Sequence, residues 1–428
     1  MFSIKTYTYE EVILHNHIDS CWIVIANKVY DVTQFIKIHP GGDSILGLAG
    51  KDATVYFCMS HPTNVWTMPE NYVIGHINKP LFKELPNTGF YREAKEAVEK
   101  LYNSKRQNIL FEIDSLVKFM AVACLYFAFI LSGNLFVGVL LGCTSFSCMA
   151  ATNIHETGHR VFKYRFVPKK VVEFISECFL GVSAASWRDQ HIIHHNDTMN
   201  ELDPDTNHHP IFMRNPLKNE THMWYFKYQQ YYMYVLYCLL HIEGRVIDAK
   251  NMIWQKNITK KEKYLYCVSL FVFCCMFIAA PISKWGCMHG LFMFMTYSIC
   301  ASICAAYVFN LNHLVDGVKF ISLADYDKYD MGEIQVVTSH NFNTRGFMGR
   351  IMCYTTGGLN FQIEHHLFPS FHSSFYPNIS KIVKRLCSKY EIKYNESVDS
   401  IRAHVKHWRF MKQLANPEPV PAIDARDE

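Results

Sequence analysis

Charged side chains are scarce in this 428-residue chain: 19% of its residues are charged and 50% are hydrophobic. That balance excludes a disordered chain, a fibre or a small disulfide-built scaffold. The net charge is only +4, too mild to argue for nucleic acid, and no DNA- or RNA-reading motif is present. No Gly-rich dinucleotide fingerprint occurs either, so electrons from a nicotinamide would have to arrive through another protein. The start, Met1 to Asn16, carries Lys5, Glu10 and Glu11 and lacks the apolar core of a signal peptide. Many of the 15 cysteines sit in apolar runs, among them Cys143, Cys148, Cys274 and Cys304. They are therefore expected to be reduced packing residues.

What the chain does have is long stretches with no charge at all. Phe119 to Ile154 is uncharged, and a single helix over that run would be roughly 54 Å long against a hydrocarbon core of about 30 Å. Two helices joined at Ser132-Gly133-Asn134, which are turn formers, fit that thickness. A second apolar block starts at Tyr264, breaks at Lys284-Trp285-Gly286 and runs on to Val315. Two membrane hairpins are expected, with the shorter stretches Val171 to Trp187 and Tyr228 to Ile242 lying at the interface. Two hairpins put the N-terminus, the loop of residues 155–263 and the segment after 316 on one side, and the Lys and Arg of the loop and tail make that side cytosolic.

Residues 6–77 read differently. Cys21 to Ala26 and Val29 to Val32 look like short strands, and His39-Pro40-Gly41-Gly42 is a tight turn. His61 follows it by 22 positions. Two neutral imidazoles on opposite walls of a cleft would complete a six-coordinate haem iron, with no position left for oxygen. The run from Thr8-Tyr9-Glu10-Glu11-Val12 through Trp22, Tyr30-Asp31-Val32, His39-Pro40-Gly41-Gly42, Gly50-Lys51-Asp52-Ala53-Thr54, Phe57 and His61-Pro62 resembles cytochrome b5. That resemblance implies a small α+β domain whose b-type haem has His39 and His61 as axial ligands. The histidine spacing is one residue shorter than is usual in fused domains of this kind.

The 22 histidines of the chain bunch together. His155-Glu156-Thr157-Gly158-His159 places two imidazoles one helical turn apart. His191-Ile192-Ile193-His194-His195 places three on one face, and Gln362-Ile363-Glu364-His365-His366 repeats that spacing with Gln362 in place of the first. His313 stands at the end of the last apolar run, with Asn310 and Asn312 beside it. Imidazole suits iron, copper, nickel and zinc alike, and the neighbouring one-electron carrier favours a redox metal.

The three boxes resemble those of the front-end membrane fatty-acid desaturases. So do Ser186-Trp187, Leu202-Asp203-Pro204-Asp205 and the stretch from Gly358-Leu359-Asn360-Phe361 to Leu367-Phe368-Pro369. The likeness covers residues 6 to about 390 and implies a multidomain chain. A small α+β cytochrome b5-like domain at residues 1–80 and a linker with a pre-membrane helix at 81–115 come first. An all-α membrane domain at 116–390 follows, with spans near 116–133, 135–153, 264–283 and 287–309 and a cytosolic di-iron cap, and a cytosolic tail at 391–428 closes the chain. It implies two non-haem irons held by His155, His159, His191, His194, His195, His313, His365 and His366. Gln362, Glu156 and Asn312 would form an outer shell; Glu156 stands where the family usually has Asp.

The resemblance further implies an endoplasmic reticulum enzyme acting on a fatty acyl-CoA or acyl-lipid. It would insert a cis double bond of delta-4, -5 or -6 type on the carboxyl side of an existing one. O2 and NADH-derived electrons would be consumed, the electrons coming from NADH-cytochrome b5 reductase. A sphingoid long-chain-base delta-8 desaturase is the alternative of similar layout. A membrane zinc protease of His-Glu-x-x-His type is the remote one, since it would leave the second and third boxes and the haem domain idle. Arg188 is a candidate clamp for the head group, and His208-His209 and His241 are candidate aids to substrate or metal. Isolated histidines such as His340, His372 and His407 are expected to be surface residues.

Overall fold

The computed structural model describes residues 5–66, 70–101, 104–159, 167–206, 214, 217 and 223–415. His208, His209 and the segment beyond residue 415, expected to be disordered, lie outside the described residues. The N-terminal domain is a small mixed sheet in the order Thr6–Tyr7, Val73–Ile77, Lys28–Asp31, Ser20–Ile25, Asn16–His17, with Lys51–Asp52 beside Ser20–Ile25. The strand Ser20–Ile25 is buried on both faces. Cys21, Ile23 and Ile25 enter a large core, and Val24 joins Tyr7, Val12, Val29 and Ile77 in a small one. The large core does not stop at the domain boundary: Leu46, Phe57 and Met59 share it with Phe361, Phe368 and Ile379. Helix α1 (Thr54–Ser60), which leads into His61, is buried along almost its whole length.

After α2 (Gly89–Glu99), four helices are long and apolar enough to cross a membrane: α3 (Lys105–Ser132), α4 (Leu135–His159), α5 (Lys260–Trp285) and α6 (Cys287–His313). Gly133, in the left-handed region at φ 59°, turns α3 into α4, and the Asn134 side chain caps α4 through Phe136 N at 2.8 Å. Gly286, at φ 82°, does the same between α5 and α6. The two turns meet. A Cβ on Gly133 would touch Trp285 at 3.1 Å, and His289 hydrogen-bonds the Gly133 carbonyl. Met120, Phe127, Leu131, Phe136, Phe271 and Met288 point outward, as lipid-facing residues do.

The helices outrun the apolar stretches at the end away from those turns. Each continues through polar residues because that end plugs into protein rather than hydrocarbon: Gln107, Glu112, Ser115 and Lys118 of α3 are all buried. In α4, residues Phe146–Ile154 widen into a π-helical stretch just before His155, an irregularity that re-aims the side chains that follow. Thr152 Oγ1 donates to the Ser147 carbonyl at 2.9 Å, a π-type i to i−5 contact. Gly357, at φ 62°, lies against this stretch: a Cβ there would come within 2.1 Å of the Ala151 carbonyl oxygen.

The interfacial stretches differ from expectation. Val171 to Trp187 is two helices, Lys169–Leu180 and the start of α7 (Ala184–Asn196), divided by Gly181 at φ 69°. Tyr228 to Ile242 spans Gln229–Tyr237 and the start of α8 (Leu240–Trp254). The segment after 391 docks through its helix Ser400–Leu414, which buries Phe410, Met411 and Leu414 against Met233 and Tyr237, and Ala403 against Leu311 and Phe342. His407 bridges the Leu314 carbonyl and the Tyr237 hydroxyl, at 2.6 and 3.0 Å. His340, also buried, joins the Leu311 carbonyl to Ser397, and His372 caps the turn at Ser373–Phe375. These three histidines serve as internal staples because each ring offers two polar atoms at fixed separation.

Candidate metal centre

Box one lies at the end of α4, box two on α7, His313 at the end of α6, and box three on the short helix Gln362–Leu367. The seven box histidines and His313 are all buried. Ligand nitrogens of His155, His159, His191 and His365 fall within 4.8 Å of one another, and those of His194, His313 and His366 form a second such group. His195 stands between them. Its Nε2 is 2.9 Å from His365 Nε2 and 3.2 Å from His191 Nε2, and its ring stacks on His366 at 4.1 Å. Within the groups, His155 Nε2 is 3.0 Å from His365 Nε2 in the first and His194 Nε2 is 3.3 Å from His313 Nε2 in the second.

These separations suit a cation. Nitrogens about 2.1 Å from one metal and 90–109° apart lie roughly 3.0–3.4 Å from each other. Burial, followed by the neighbouring imidazoles, pushes His191, His195, His365 and His366 well below the ordinary histidine range. The neutral ring is the form that ligates. His366 Nε2, aimed into the cluster, is buried with no hydrogen-bond partner.

The far nitrogens are tied down. His194 Nδ1 faces Asp203 at 3.0 Å, His313 Nδ1 donates to the Thr338 carbonyl at 2.9 Å, and His366 Nδ1 donates to Gln335 Oε1 at 2.8 Å. His365 Nδ1 meets the Tyr376 hydroxyl at 3.2 Å and His159 Nδ1 the Tyr56 hydroxyl at 3.3 Å. Such partners fix the tautomer and leave Nε2 for a metal. Burial alone would lower His194, but Asp203 and Asp205 outweigh it and raise it to about 9, so a metal there must displace a proton. Gln362 Nε2 donates to His313 Nε2 at 2.9 Å, and its oxygen accepts from Asn312. Glu156 is buried beside its box. Gln335, Thr338, Tyr376 and Tyr56 carried no sequence signal, since each acts across more than ten residues of chain; Asp203 at least stood in a motif.

A cavity of about 290 Å³ opens at this cluster. His155, His194, His313 and Gln362 line it at one end, and Leu240, Gly244 and Ile247 of α8 with Ala301 and Ala305 of α6 farther in. His241 lines it too and is anchored, its Nε2 donating to the Leu180 carbonyl at 2.7 Å. Arg188 is no free clamp: its guanidinium is buried against Asp189 at 2.7 Å and Glu262 at 2.9 Å, and two carboxylates consume its charge.

On the other side lies a cavity of about 920 Å³, lined by His39, His61, Ile25, Phe35, Leu48, Phe57 and, at its far wall, His159. The His39 and His61 ring centres are 6.1 Å apart. Two metal–nitrogen bonds of about 2 Å plus about 1.1 Å from nitrogen to ring centre on each side call for roughly 6.2 Å. His39 Nδ1 donates to the Gly42 carbonyl and His61 Nδ1 to the Phe57 carbonyl, leaving both Nε2 atoms to face each other. Burial lowers His39 and pushes His61 down to about 4, again the neutral form. The residues fit a haem.

A family model described as Fatty acid desaturase matches residues 130–398, and one described as Cytochrome b5-like Heme/Steroid binding domain matches residues 8–78. The chain is 29% identical to an acyl-lipid (8-3)-desaturase of Physcomitrium patens, over 95% of this chain and 91% of the relative. It is 27% identical to Delta(5) fatty acid desaturase A of Dictyostelium discoideum, over 96% and 94%. A Delta(8)-fatty-acid desaturase of Borago officinalis is 29% identical, over 91% and 90%.

Proposed function

Because the chain belongs to the fatty acid desaturase family and carries a cytochrome b5-like domain ahead of it, we propose that it is a front-end desaturase of long polyunsaturated acyl chains, reduced through its own haem domain. The b5-like domain implies haem, and the family together with the histidine groups implies iron. In this reading His39 and His61 hold the haem, and the seven box histidines together with His313 hold two irons. One observation carries it: buried imidazoles from three distant stretches converge where an apolar cavity ends. Iron bound there supplies reductive activation of O2, so that one O2, two electrons and two protons remove two hydrogens from adjacent carbons and form two waters.

The chain's own residues do the rest. The wall of Leu240, Ile247, Ala301 and Ala305 holds the acyl chain and excludes water. Each buried methylene contributes about 0.8 kcal/mol, which favours long chains without setting register. Register comes from the depth between the cavity mouth and the histidines. NADH-derived electrons arrive through a separate reductase at the cytosolic face of the endoplasmic reticulum, the side to which the haem domain and histidine cap belong. A zinc protease built on His155, Glu156 and His159 would leave the remaining imidazoles without work.

Expression in yeast fed separate polyunsaturated acids, with mass-spectrometric location of new double bonds, tests this reading. A new double bond between an existing one and the carboxyl group is the expected product. New unsaturation confined to sphingoid bases in the same lipid extracts would overturn the acyl assignment. The relatives named for positions 5 and 8 make those the first carbons to inspect.

A further inference from the structure

We propose that Tyr56 is the bridge through which electrons pass from the haem site to the iron group of His155, His159, His191 and His365 within one chain; this rests on the haem domain being the donor. His61 Nδ1–H donates to the Phe57 carbonyl at 3.1 Å. Phe57 is bonded to Tyr56, and the Tyr56 hydroxyl lies 3.3 Å from His159 Nδ1. Two hydrogen bonds, the Phe57–Tyr56 backbone and one side chain thus connect the proposed haem ligand His61 with the proposed metal ligand His159. The Tyr56 ring also presents its edge to His195, at 6.1 Å between centres.

The bridge is clamped in place. Asn196, the residue after His195, donates from Nδ2 to the Asp52 carbonyl at 2.8 Å and accepts the Tyr56 backbone N–H at 3.2 Å. This holds the start of α1 against α7. Farther along α7, Ile192 packs against Gly47, where a Cβ would already be 3.4 Å from it. The haem domain and the second box therefore form one rigid contact, and the ligand-to-ligand path needs no docking step.

Each passage moves one electron. A ferrous haem becomes ferric and one ferric iron becomes ferrous, no bond in Tyr56 is broken, and no proton crosses with the electron. Two passages serve one double bond, with the reductase as reductant and O2 as final oxidant. Tyr56 is a positioning residue for electron flow and touches neither acyl chain nor O2. A rival path exists, because the haem-side cavity, which Tyr56 also lines, itself reaches His159, and transfer straight across that space would not depend on the Tyr56 hydroxyl.

The test uses the full-length enzyme loaded with haem and iron, reduced without oxygen and then mixed with O2 and an acyl substrate while the haem absorbance is followed. In the wild type, reoxidation should be fast and should slow when the iron is removed. Tyr56→Leu should slow it by about tenfold or more and Tyr56→Phe by a few-fold. Because Tyr56 lines the haem-side cavity and holds His159, haem spectrum, haem potential and iron content are measured for each variant and rates are compared per loaded centre; a small diffusible mediator should restore product per electron. Wild-type rates in both variants would overturn the bridge, as would a slow variant that the mediator fails to rescue, because its defect then lies in the iron group. Should Tyr56→Leu lose iron or haem, Tyr56→Phe, which keeps the volume, decides by the same criteria. Reoxidation that ignores iron in the wild type would instead sink the donor role itself.

Discussion

His159 and His365 rest their outer nitrogens on phenols, Tyr56 and Tyr376, whereas His194, His313 and His366 rest theirs on Asp203, the Thr338 carbonyl and Gln335. The first group borders the haem-side cavity through His159. The second shares its cavity with the apolar wall of α8 and α6. Neutral phenols polarise an imidazole weakly, while a carboxylate makes it a better donor to metal. The two halves of the cluster are therefore not equivalent: both reach the apolar cavity, through His155 and His191 or His194 and His313, but only the first borders the haem-side cavity, and the second is more firmly held. Burial holds Tyr56 protonated, with its hydroxyl pushed up to about 12, so the phenol side stays uncharged.

The largest effect that could erase this distinction is expected at the shared residue. His195→Ala, which touches both groups, should lower bound iron at both and cut product by more than about 100-fold. Metal analysis of purified protein beside product assays checks it, and full iron occupancy would show that His195 is not shared. Next come the single-group variants. His365→Ala and His366→Ala should each abolish product while removing about half the non-haem iron, and their Mössbauer spectra should lose different components.

A finer separation comes from the outer partners. Asp203→Asn keeps the shape but removes the charge that raises His194, so iron in the second group should bind about 10- to 100-fold more weakly, as read by chelator competition. If the comparison holds, Tyr376→Phe weakens the first group by only a few-fold, because a neutral donor is lost rather than a charge. Equal losses in the two variants would erase the distinction between the groups. In both, the haem spectrum should be unchanged, since neither residue lines the haem-side cavity.

Much of this arrangement was legible beforehand. His155 and His159, or His191, His194 and His195, share a face because residues three and four apart on a helix are neighbours. Gly133 and Gly286 sit where the uncharged runs had to turn. The docking of Ser400–Leu414 was not legible, because its packing stripe is diluted by Lys and Arg on its other face. His340 and His407 look like any isolated histidine until the carbonyls they hold, Leu311 and Leu314, are seen beside them.

Local pattern thus determined which imidazoles share a helix face, which segments are apolar enough to cross a membrane and where the two histidines of the small domain lie, because helical period, turn chemistry and hydropathy act over a few residues. Which imidazoles gather into one group was decided only by the tertiary fold. So was the choice of Gln335, Tyr376 and Asp203 to orient them, and so was the contact of the haem domain with His159 through Tyr56. Those pairings join positions as far apart as 56 and 159 or 155 and 365, and they exist because one hydrophobic core runs through both domains and holds α1, α7 and the third box in register.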